Sequence, residues 1–177
     1  MPAERFVKAL NEQISRELGA AQQYLAVAVY YDDLTLPRLA ALFYGQSREE
    51  RGHALMMAQY LLDSGVRPVV PGLEAPRGDF ADFVEPIRVA LEQERAVTDQ
   101  ISSLAGIARE ENDYLSEQFI QWFLKEQVEE VSTMSSLLEV AERCREQPME
   151  LEQYLVRERA QAEGEDPTAP PLAGGAP

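Results

Sequence analysis

The stretch Gln46-Ser47-Arg48-Glu49-Glu50-Arg51-Gly52-His53-Ala54-Leu55-Met56-Met57 carries the pattern on which the whole chain is built. It lies in the middle of residues 37–64, where Leu39, Phe43, Gln46, Glu50, His53, Met57, Tyr60 and Ser64 recur at steps of three and four, the spacing that keeps side chains on one face of a helix. Three more stretches follow the same rhythm. Over residues 3–31 it runs Val7, Leu10, Ile14, Glu17, Ala21, Tyr24, Ala28, Tyr31, and over 83–111 Phe83, Ile87, Ala90, Glu94, Val97, Ile101, Leu104, Ala108. Over 113–145 it runs Ser116, Ile120, Phe123, Gln127, Glu130, Met134, Leu137, Ala141, Cys144.

Four stretches of ~29 residues, each ~43 Å long at ~1.5 Å per residue, predict an all-α four-helix bundle. Proline is harmless near a helix start, and Pro2, Pro37, Pro86 and Pro148 stand at such places; Gly65 follows the second stretch as a C-cap. Residues 32–36 and the turn near Asn112 are short, which makes the first and second helices, and the third and fourth, antiparallel neighbours. Gly65 to Asp82, punctuated by Pro68, Pro71, Gly72, Pro76 and Gly78, can span ~56 Å when extended and is predicted to be the one long crossover. Pro148 opens a short fifth C-terminal helix to about Ala162. Residues 1–163 then form one domain, and 164–177, rich in Pro, Gly and Ala, are expected to be a disordered tail that buries no apolar face.

The chain has 177 residues, with 16 Lys and Arg against 31 Asp and Glu, a formal net charge of −15. So acidic a protein repels nucleic acid and anionic lipid and attracts cations. Cys144 is the single cysteine, which excludes an intramolecular disulfide and a multi-cysteine zinc or iron–sulfur site and suits a reducing cytoplasm. The longest apolar run, Tyr24 to Tyr31, is far short of the ~20 residues of a membrane-spanning helix. Met1 to Lys8 lacks the apolar stretch of a secretory signal, so a cytoplasmic protein without membrane partners is expected.

Near the middle of each apolar seam the pattern breaks. Glu17 interrupts the first, Glu50 and His53 the second, Glu94 the third, and Gln127 and Glu130 the fourth. Antiparallel packing brings mid-helix positions to one level, so four carboxylates and an imidazole meet in the interior. A single helical Glu is usually solvated, but buried carboxylates are costly unless paired, protonated or metal-bound. Two divalent cations would neutralise four carboxylates. Carboxylate oxygens with an imidazole suit iron or manganese, and the i, i+3 pair Glu50/His53 puts both ligands on one side of a helix. Glu49, Glu126 and Glu129 lie beside the seam and, with Glu130, form a candidate for a further cation. Tyr24, Tyr60 and Trp122 are most simply core or interface aromatics, although Tyr24, one heptad after Glu17, could hydrogen-bond a ligating carboxylate.

In Glu17-Leu18-Gly19-Ala20-Ala21-Gln22-Gln23-Tyr24, Glu49 to His53, Glu92-Gln93-Glu94 and Gln121 to Glu130, the chain resembles the non-haem bacterial ferritins, and is close to their actinobacterial members, over residues from about 5 to 162. The resemblance implies a ferritin-like bundle assembling into a homo-oligomeric hollow shell of 24 subunits. That shell oxidises Fe²⁺ with O₂ or peroxide, as a ferroxidase, and stores ferric mineral. It implies one iron site of Glu17, Glu50 and His53, and a second of Glu50 as bridge, Glu94 and Glu130, with Gln127 and Tyr24 adjacent. A third iron site would use Glu49, Glu126, Glu129 and Glu130, and the fifth helix would sit at the four-fold axes. Bacterioferritins carry a haem-ligating methionine directly after the bridging glutamate; Arg51 stands there, so no haem is expected. A single His and a single Cys also separate the chain from the two-histidine di-iron oxygenases and the four-cysteine rubrerythrins. Glu117, ten residues before Gln127, has the spacing of a channel-lining acid in animal ferritins, with Glu110, Glu111 and Asp113 as outer candidates. The non-enzymatic alternative is an acidic bundle acting only as a scaffold or cation buffer, which oxygen-dependent iron oxidation would exclude.

Overall fold

The computed structural model describes residues 1–159 and 166–174. Five helices follow one another: α1 (Glu4–Asp33), α2 (Pro37–Asp63), α3 (Glu85–Glu110), α4 (Tyr114–Arg143) and α5 (Pro148–Arg159). The described residues contain no strand, and the fold is the all-α bundle that the periodicity predicts. α1 packs chiefly on α2 and α3 on α4, while α5 closes one end against α2 and α4. Helix ends shift by a residue or two from the sequence expectation, the usual scatter of frayed ends. The expected last turn of α5, to Ala162, lies outside the described residues.

Three helices end in the same way, and only one of the endings contains glycine. After α2, Gly65 adopts φ 75°, with Val66 N–H bonded to Leu61 O at 2.8 Å and Gly65 N–H to Leu62 O at 2.9 Å, the Schellman pattern. Thr35 (φ 58°) does the same after α1 and Asn112 (φ 54°) after α3. Asparagine tolerates this left-handed conformation, whereas a β-branched threonine is strained in it. The turns at Thr35 and Asn112 reverse the chain within a few residues, which sets α1 against α2 and α3 against α4, while the turn at Gly65 opens the crossover.

The crossover climbs α1 as it returns. Val69 N–H donates to Asn11 Oδ1 at 2.7 Å, Arg77 and Gln23 exchange two bonds at 2.8 and 2.9 Å, and Tyr31 Oη donates to Phe83 O at 2.7 Å. From Asn11 to Tyr31 is ~30 Å of helix at ~1.5 Å per residue, so α3 restarts at the end of the bundle where α1 finished.

The α2 start is capped from far away in sequence. Leu36 precedes Pro37 and offers no side-chain cap, and the buried carboxylate of Glu152 on α5 accepts instead from Arg38 N at 2.8 Å and Leu39 N at 2.9 Å. A carboxylate there also meets the positive end of the α2 dipole.

The core is cut in two. One apolar cluster, around Tyr31, Leu39, Phe43, Ile87, Met134 and Leu137, fills the α5 end, and another, around Phe6, Leu10, Met57, Ile101, Ile120 and Phe123, fills the opposite end. Between them lies a belt of buried polar side chains.

Residues 166–174 lie against the bundle; the other positions of the expected tail, 164–165 and 175–177, lie outside the described residues. Asp166 accepts from Trp122 Nε1 and Lys125 Nζ, both at 3.2 Å, and Ala173 N–H donates to Leu55 O at 3.2 Å. No helix among the described residues is long and apolar enough to cross a membrane.

Candidate metal centre

Each member of the belt comes from the middle of a helix, where neither helix terminus nor solvent can satisfy it. Glu17, Glu50, His53 and Glu94 are 1%, 1%, 3% and 0% exposed, and Gln127 and Glu130 are similarly buried. Glu17, Glu50 and His53 each bring one ligand atom within 4.8 Å of the others. His53 Nδ1 stands 3.3 Å from Glu50 Oε2, as the i, i+3 spacing requires. Edge-on contacts from Trp122 and Phe123, with ring centroids 5.8 and 5.7 Å away, hold the imidazole plane.

Glu94 faces this trio from α3. Tyr24 Oη donates to Glu94 Oε1, and burial together with that neighbouring charge keeps the phenol protonated. Thr98 Oγ1 stands 3.0 Å from Gln127 Oε1, fixing the amide beside Glu94. Glu130 belongs to a second group with Glu49 and Glu126, whose ligand atoms also lie within 4.8 Å of one another. This group is graded from buried Glu130 through half-buried Glu126 to exposed Glu49, so it opens from the centre towards a surface. Glu129 is exposed and outside the tight group, although its charge acts on Glu126.

The electrostatics are those of a site short of positive charge. Burial, followed by the charge of Glu50, holds the Glu17 carboxyl well above the usual carboxylate range; burial does the same for Glu50 and raises Glu94 as well. Glu130 is pushed up to about 9 by burial and by the charges of Glu49, Glu94 and Glu126. Glu17 Oε2 and Glu94 Oε2 are buried with no hydrogen-bond partner among the described residues. Buried oxygens are ordinarily paired, and two orphans facing one carboxylate-lined space fit divalent cations in their donor chemistry.

Two contributors escaped the sequence pattern. Gln13 is fully buried and donates to Glu17 Oε1 at 2.8 Å. Its position one turn before Glu17 was the available signal. Thr98, one turn after Glu94 and bonded to its backbone O at 2.8 Å, meets Gln127 only through α3–α4 packing.

The channel candidates at the α3–α4 turn are all engaged within the chain. Glu117 takes Arg109 Nε and Nη2 at 2.9 and 2.6 Å, and Arg5 reaches Glu110 and Glu111 at 2.7 and 3.5 Å. Asp113 is the α4 N-cap, bonded to Ser116 N at 3.2 Å and also to Ala3 N at 2.9 Å. Arg51, at the haem-methionine position, is exposed.

The family model described as Ferritin-like domain matches residues 7–144. The chain is 48% identical to "Ferritin BfrB" of Mycolicibacterium smegmatis, covering 97% of this chain and 94% of the relative. It is 36% identical to "Bacterial non-heme ferritin" of Staphylococcus epidermidis, over 77% of this chain and 82% of that one. Among solved structures, the open-pore ferritin of the archaeon Archaeoglobus fulgidus superposes with a TM-score of 0.84 at 28% identity, covering 91% of this chain and 99% of that one. With a buried carboxylate–histidine belt dividing a ferritin-like bundle, and relatives matched over nearly their full length, the chain belongs to the ferritin-like family, among its bacterial ferritins.

Proposed function

We propose that the protein is an iron-storage ferritin whose belt is a ferroxidase centre, with Fe²⁺ as substrate, and whose assembled form is a shell of 24 subunits. The observation that supports it most is the buried Glu17–Glu50–His53 cluster with its unpartnered carboxylate oxygens. Glu17, Glu50 and His53 would receive one Fe²⁺, and Glu50, Glu94 and Glu130 a second, so that Glu50 is shared. Binding displaces the protons that burial holds on these carboxyls, and the oxidised product, carrying more charge, is favoured further by four anionic ligands. Each Fe²⁺ gives one electron; the pair reduces dioxygen to hydrogen peroxide, or hydrogen peroxide to water, with two protons taken up. Tyr24 holds Glu94 by its phenolic O–H, which leaves Glu94 Oε2 free for the cation side.

Glu49 and Glu126 continue from Glu130 as a third position, with Glu129 at its rim, and would accept iron leaving the centre. Arg51 offers no thioether, so the reading includes no haem. Aerobic addition of Fe²⁺ to the purified protein, followed by size-exclusion chromatography with light scattering and iron analysis, tests storage. Iron eluting with a particle of about 24 chains supports it. A monomer, or iron lost as hydroxide precipitate at the same rate as in buffer, contradicts it.

A further inference from the structure

Glu17 is held from behind. Gln13 Nε2 occupies its Oε1 at 2.8 Å, while Oε2 is left without a partner. Gln13 is 0% exposed, a burial that an amide sustains only when its groups are engaged. They are: its second N–H donates to Gln100 Oε1 at 3.2 Å, and its carbonyl accepts from Arg16 Nη1 at 3.2 Å. A guanidinium has no acceptor, so Arg16 decides which way round the amide stands. Reversed, the amide would set N–H against the guanidinium and C=O against the carboxylate. Arg16 does this from the surface, its side chain 46% exposed and 3.8 Å from Glu12.

We infer that Gln13, locked in orientation by Arg16, is a positioning residue for Glu17, engaging Oε1 so that Oε2 alone is presented to the first cation. The inference rests on Glu17 being a ligand of the centre proposed above. Partners that orient a ligand in this way ordinarily contribute about 10- to 100-fold in metal affinity.

Anaerobic titration of the assembled protein with Co²⁺, followed by its visible absorption, tests the arrangement. Gln13→Leu should weaken the first equivalent by about 10- to 100-fold and alter its absorption band, while the second equivalent, at Glu94 and Glu130, binds as in the parent. Arg16→Leu should weaken the first equivalent in the same direction and to a smaller extent. That sign is diagnostic, because removing a positive charge near a cation would, by relief of Coulomb repulsion alone, raise the affinity. Arg16→Lys keeps a donor for Gln13 and should restore parental binding. Parental affinity and absorption in Gln13→Leu, with the first equivalent lost in Glu17→Gln, overturn the positioning role and leave Glu17 a ligand. Parental binding in Glu17→Gln as well removes Glu17 from the centre. Should Gln13→Leu fail to fold, the surface variant Arg16→Leu decides: unchanged or raised affinity overturns the inference.

Discussion

Glu130 joins two groups of carboxylates, and its titration reports on both. A carboxyl raised to about 9 in the folded protein binds more protons than in the unfolded chain at every pH between the ordinary carboxylate value and 9. Over that window its contribution to the stability of the metal-free protein falls as pH rises, and Glu17, Glu50 and Glu94 act in the same direction. A divalent cation replaces those protons. Saturating Zn²⁺, which cannot be oxidised, should therefore raise the melting temperature more at pH 8.5 than at pH 5.5, and Glu130→Gln should shrink the difference. Equal increments at both pH values would mean that the belt is not the cation site. Glu17, Glu50, His53, Glu94, Gln127 and Glu130 were legible as breaks in apolar seams. Gln13 was missed because glutamine on a helix is ordinarily solvated, and Thr98 because only tertiary packing brings it to Gln127.

The helices themselves were legible because a three-and-four rhythm has no competing explanation over so long a stretch. Their ends were not. Gly65 announces its left-handed turn, whereas Thr35 and Asn112 adopt the same geometry without glycine. Thr35→Gly relieves that strain at the expense of a looser unfolded chain, and should stabilise by about 0.5–1 kcal/mol in chemical denaturation. A loss of stability would show that the threonine side chain does more than tolerate its φ. The Glu152 cap is invisible to any local pattern because it lies 114 residues from Arg38. Its removal in Glu152→Ala should cost about 1–3 kcal/mol and leave the belt intact, since α5 and the centre occupy different parts of the bundle. Asp166 makes residues 166–174 testable through Trp122, the single tryptophan. Asp166→Ala should shift its fluorescence emission, and an unchanged spectrum would detach the tail from α4.

At the scale of the molecule, a net charge of −15 and a core divided by carboxylates serve the same chemistry, since both favour cations over anionic partners. The Arg109–Glu117 pair tempers that charge at the α3–α4 turn, so Glu117→Gln should slow iron oxidation only slightly, even at low ionic strength where steering is least screened. The exposed Arg51 in place of a haem ligand predicts a purified protein with no Soret band. Neither result bears on how iron is oxidised, which is the central claim. Stopped-flow absorbance after mixing two Fe²⁺ per subunit with aerobic, assembled protein addresses it, with the parent set against Glu50→Ala. Because Glu50 is the one carboxylate shared by both positions, its loss should abolish the fast oxidation phase while the assembly stays intact by light scattering. A fast phase of undiminished rate and amplitude in intact Glu50→Ala assemblies would contradict a dinuclear centre at Glu17, Glu50, His53, Glu94 and Glu130.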